Sequence, residues 1–182
     1  MKKTQHYKLL GGKDGLHTCH GGGIIYKRGV WTKPVTNVEP CARGYHTVTA
    51  GQIMGWLDGA TAIYHCDVRG AVNADNKSVC RSIRLGRKVM GARELQHFAC
   101  DCAARVLHIY EGAFPQDASV RNCIATAREY TEGRATLENL NTAESAAWSA
   151  ARKWQQKRLE LYLKGGKPWI ERPVDSGCTL KP

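Results

Sequence analysis

Apolar positions follow two different rhythms along this chain. In the first half they form short runs over residues 23–26, 29–35, 62–68 and 78–85, separated by Gly, Asn, Asp and Pro, and such runs predict β-strands. The last two runs flank a polar stretch at 70–77 and predict an antiparallel hairpin. Between the strands, Thr49-Ala50-Gly51-Gln52 has the form of a capping box, followed by Ile53, Met54, Trp56 and Leu57 and then Gly59, so one short helix is expected there.

Beyond Met90 the spacing becomes helical. Leu95, Phe98, Ala99, Cys102, Val106, Ile109 and Tyr110 recur as one stripe before Gly112. A second helix runs from Asp117 or Ser119 to Glu132, with Val120, Cys123, Ile124, Ala127 and Tyr130 inward, between Pro115 and Gly133. A third begins near Asn141 and reaches Lys164, with Ala143, Ala147, Ala150, Ala151, Trp154, Leu161 and Tyr162 along one side. The expected class is α+β: a small β-rich domain with one short helix over 1–89, a three-helix bundle over 90–164 and a tail over 165–182.

Charge divides the chain at the same place. Up to Lys88 there are fourteen Lys and Arg against five Asp and Glu; the remainder has thirteen against eleven, within a net +11 for all 182 residues. A basic segment argues for an anionic partner and says nothing of fold. Arg69, Lys77, Arg81, Arg84, Arg87 and Lys88 gather on the predicted hairpin. Alternation puts Ser82 and Arg84 opposite Ile83 and Leu85, so Arg84, Arg87 and Lys88 are expected to line a solvated edge able to hold phosphates. Edge cations also deter strand-to-strand aggregation, an equally good account of them. Arg152, Lys153, Lys157 and Arg158 form a second basic run on the third helix, either a solvated face or a second polyanion surface.

Forty-two per cent hydrophobic residues suffice for an ordinary core, and nowhere do eighteen apolar residues follow one another. The opening residues carry charge without an apolar run behind them, so the expectation is a protein of the bacterial host cytoplasm with no membrane partner. Eight cysteines are then read as thiols. Cys19, His20, Cys41 and His46 could supply four zinc ligands, although their spacing follows no standard finger, and no cofactor is expected. The alternative makes Cys19 and Cys41 small core residues and leaves His17 and His46 in turns. Cys100 and Cys102 lie about 200° apart on a helix and cannot both face one ion, so Cys102 is assigned to packing.

Two resemblances bear on function. Phe98-Ala99-Cys100-Asp101-Cys102-Ala103-Ala104-Arg105-Val106-Leu107, Ala125-Thr126-Ala127-Arg128-Glu129-Tyr130 and Ala146-Ala147-Trp148-Ser149-Ala150-Ala151-Arg152 are similar to a helical module of phage and prophage proteins, some of them immunity proteins. Trp31, Pro34, Cys41, Gly44-Tyr45-His46 and Trp56-Leu57 resemble the module that precedes it in such proteins. In size and general look the chain is also similar to anti-CRISPR proteins that inhibit a type II RNA-guided nuclease. That likeness implies a non-enzymatic phage inhibitor binding the nuclease–guide complex or its DNA or RNA. Three other classes stay open: a general nucleic-acid-binding accessory protein, an immunity-type protein that blocks a toxin, and an ADP-ribosyl enzyme suggested by Gly44-Tyr45-His46-Thr47 with Tyr64.

Overall fold

The longest strand pairing joins β4 (Ala62–Ala74) to β5 (Lys77–Met90), the hairpin that alternation predicts. Its turn is shorter than expected, because both strands extend inward until only Asp75 and Asn76 remain between them. Gly70 lies inside β4 at φ +58, where a Cβ would come within 2.5 Å of the Arg81 side chain; a residue that reads as a breaker is there to let the strand pass its partner. The computed structural model describes residues 4–19 and 23–163.

Around the hairpin, β1 (His6–Gly11), β2 (His17–Thr18) and β3 (Tyr45–Thr47) complete a five-stranded sheet in the order β2-β1-β4-β5-β3, with every pairing antiparallel. The runs at 23–26 and 29–35 do not form regular strands, since Gly29 turns back at φ +73 and Pro34 has no N–H to give. Neighbouring residues of a strand face opposite sides, and both sides of this sheet are covered. Leu10, Tyr64, Cys66, Ile83 and Leu85 pack with Tyr26 in one cluster. Leu9, Ile63 and Val48 form another against Ile53, Trp56, Leu57 and Leu95. Fully buried chains such as Leu10, Ile63 and Ile83 each contribute about 1.5–3 kcal/mol by leaving water.

The short helix predicted after Thr49 is a 3₁₀ helix, Ala50–Trp56, and the Thr49 N–H donates to Gln52 Oε1 at 2.9 Å as a capping box requires. Three α-helices follow: α1 (Ala92–Ala113), α2 (Ser119–Thr131) and α3 (Leu137–Leu163). The protein is α+β, with an antiparallel sheet followed by three helices. Its chain divides into two compact units, Met1–Cys102 and Ala103–Pro182. None of the described helices is long and apolar enough to cross a membrane.

Candidate functional site

The hairpin cations do not line an open edge. β5 is bonded to β4 on one side and to β3 on the other, and beyond β3 the N–H groups of Gly29, Thr32 and Val35 each donate at 2.9 Å to the carbonyls of Leu85, Ile83 and Arg81. Across the hairpin Arg84 pairs with Asp67 and Arg69 with Ser82, so these two arginines share one face, while Arg81, whose side chain lies against Gly70, stands by alternation on the other. Arg84 sits opposite Asp67 and donates to its Oδ2 from Nε at 3.1 Å and Nη2 at 2.7 Å. Trp31 lies beneath two guanidinium groups, Arg69 at 3.9 Å from the ring centre and Arg84 at 5.2 Å. Arg69, Arg81, Arg87 and Lys88 stay exposed; Lys77 is withdrawn, its ammonium 2.9 Å from Cys41 Sγ and 4.9 Å from the Trp56 ring centre. Both members of the Arg84–Asp67 pair are more than 40% exposed, so Arg84→Ala is expected to cost no more than about 1 kcal/mol in urea denaturation.

A small cleft of about 70 Å³ opens beside β1, lined among others by Lys8, Cys19, His46, Thr47 and Lys77. The Lys8 ammonium reaches inward, donating to the His46 carbonyl at 2.8 Å and standing 5.4 Å from the centre of the buried Tyr26 ring. Burial lowers its pKa to about 8, against a partial pull upward from Cys66, Cys19 and Cys80. Burial also holds His46 below the usual histidine range, helped by the Lys77 and Lys8 charges, and leaves its imidazole neutral at pH 7. Its Nε2 is buried with no hydrogen-bond partner among the described residues. The thiols move the other way: burial pushes Cys66 up to about 12 and raises Cys19 and Cys80. These thiols are protonated at neutral pH and poor nucleophiles in that form.

The three described zinc candidates, Cys19, Cys41 and His46, do not gather into one ion site. Cys19 and His46 share the cleft, but Cys41 is exposed and its sulfur faces the Lys77 ammonium, which also removes it from the core position proposed for it. His20 lies outside the described residues, among which no three His, Cys, Asp or Glu side chains gather to hold an ion. Tyr64 is 2% exposed in the core and Tyr45 gives its hydroxyl to the Lys33 carbonyl, so these two rings form no open cradle for a nicotinamide. The cleft is well below the roughly 300 Å³ at which ligand pockets usually begin.

On the helices, α2 and α3 pack against each other, and Ala143, Ala147 and Ala150 are half-buried as their spacing predicts. The phase of α1 differs from expectation. Cys100 is the buried cysteine and Cys102 is exposed, because the covered stripe runs through Cys100, Ala103, Ala104 and Leu107, leaving Val106 and Ile109 open. Among the described residues from Ala103 onward none is fully buried. Leu137, Trp148 and Leu159 are 56%, 64% and 52% exposed. They recur every eleven residues, about 20° apart around α3, and so form one uncovered stripe. Arg152 shares a shallow groove with Trp148, Ser145 and Ser149, and Lys153 is exposed; the side chains of Lys157 and Arg158 lie outside those described.

Residues 88–164 match a family described as Imm-5 like putative immunity protein. The span covers α1, α2 and α3 and only the last residues of β5. No curated protein and no solved structure matches the chain. The match bears out the likeness of the helical part to an immunity module; it extends neither to a phage origin nor to inhibition of a guided nuclease.

Proposed function

We propose that this chain is an immunity-type protein, which neutralises a toxin by binding it and carries out no reaction of its own. The match over residues 88–164 carries that reading. Support comes from the second unit, whose described apolar side chains remain incompletely buried: a partner laid on Leu137, Trp148 and Leu159 would cover what they leave open. The basic first half, with fourteen Lys and Arg against five Asp and Glu, favours a toxin of acidic net charge by speeding encounter, although the helical part that would dock is close to balanced. An inhibitor of a guide-loaded nuclease would use the same binding logic on a different target, and only sequence resemblance speaks for it.

A second reading has its own observation. Trp31 under Arg69 and Arg84, with Arg87 and Lys88 also exposed on the hairpin, has the aromatic and cationic make-up of a surface that tracks single-stranded nucleic acid. The two separate by salt. Co-expression of the full chain with a toxin domain encoded beside it is expected to restore growth, and the two proteins to elute together at low and high salt. No protection, with binding only to nucleic acid and only at low salt, would overturn the immunity reading in favour of the second.

A further inference from the structure

Two lysines line the cleft beside β1. Lys8 and Lys77 both line it, and among the described residues neither has a carboxylate within ion-pair distance. Lys77 is only 9% exposed. An ammonium withdrawn from water without an opposite charge is costly, and folded proteins ordinarily pair it. What these two have instead is weak: a carbonyl for Lys8, a thiol sulfur for Lys77, and an aromatic ring beside each. Each ammonium has three N–H donors, so after one bond apiece several remain. Thr18 and Thr47 line the same space, as does His46, whose Nε2 has no hydrogen-bond partner among the described residues.

We propose that the cleft binds one phosphate group, held between the Lys8 and Lys77 ammonium ions. The volume, about 70 Å³, excludes a nucleoside and suits a group of a few heavy atoms. Lysines are compact point charges whose rotatable donors accommodate a tetrahedral oxyanion, whereas planar carboxylates are better served by an arginine fork. The cleft is partly open to solvent, so the group can be the free ion or the terminus of a phosphomonoester whose remainder stays outside. The anion would supply an opposite charge to both lysines, independently of whatever the helices bind.

The test is thermal denaturation of the full chain against inorganic phosphate and against glycerol phosphate, with sodium chloride at matched ionic strength as the reference. Saturable stabilisation is expected, on the order of 5–10 °C at a hundredfold excess over Kd. It should be lost in both Lys8→Met and Lys77→Met. A response to inorganic phosphate alone assigns the free ion, and a response to both assigns a site that accepts monoesters. No response beyond chloride, or one that persists in the variants, overturns the proposal. Should a variant not fold, ³¹P line broadening of phosphate by the wild-type chain reads the same site, and broadening no greater than that caused by a lysine-rich peptide of equal charge also overturns it.

Discussion

Lys8→Met is expected to raise the stability of the sheet-bearing unit by up to about 3 kcal/mol at pH 7 in a buffer free of phosphate. The free chain buries the Lys8 ammonium with a pKa near 8 where the unfolded chain has 10.5, a difference that corresponds to about 3 kcal/mol of cost while both states are protonated. Below pH 8 that cost is present in full. As pH rises from about 8 to 10.5 the folded state sheds the proton first, and the penalty fades. The advantage of the methionine variant should therefore be constant from pH 6 to 7.5 and close progressively above pH 8. Comparing variant with wild type matters, because Cys19, Cys66 and Cys80 act oppositely: their raised folded values cost stability once unfolded thiols ionise near pH 9. Urea denaturation at four or five pH values measures the gap; an unchanged gap at pH 10, or a methionine variant less stable at pH 7, contradicts the assignment.

Why this lysine escapes a reading of the sequence is physical. His6-Tyr7-Lys8-Leu9-Leu10 has no clean alternation, since its two leucines serve opposite faces of the sheet and its polar members also turn inward, His6 bonding Thr47 at 3.1 Å and Lys8 giving one N–H to the His46 carbonyl. A strand covered on both sides does not announce itself by period two. The hairpin does, and its partners fell where alternation put them, but Gly70 and Asn73 resemble turn residues and conceal how far β4 runs. The helices were legible as elements. α3 starts at Leu137, ahead of Asn141, because Thr136 and Asn139 cap it reciprocally, Asn139 Oδ1 taking the Thr136 N–H at 2.9 Å. The facing of α1 was not legible, because apolar residues occupy two neighbouring stripes and only packing selects between Cys100 and Cys102. Charge on the hairpin was visible as composition, whereas its distribution into exposed arginines, a pair with Asp67 and a withdrawn Lys77 depends on the fold.

The largest effect on partner binding is expected at Trp148. Its side chain is 64% exposed, so Trp148→Ala removes little that the folded chain itself uses, and stability should stay within about 0.5 kcal/mol of wild type. Large aromatic residues at the centre of an interface carry a disproportionate share of its energy, commonly 2 kcal/mol or more, which corresponds to a Kd at least about thirtyfold weaker. Leu137 and Leu159 lie on the same line of α3 at either side, so serine substitutions there should weaken the complex less than the loss of Trp148 does. Arg152, beside Trp148, should act differently: removing a rim charge slows association and reduces salt dependence while leaving dissociation nearly unchanged. Surface-plasmon measurements against the neutralised toxin separate these effects. If Trp148→Ala binds as tightly as wild type, the uncovered stripe of α3 is not the interface, and the open groove formed by Val106, Ile109, Tyr110 and Phe114 becomes the next surface to substitute.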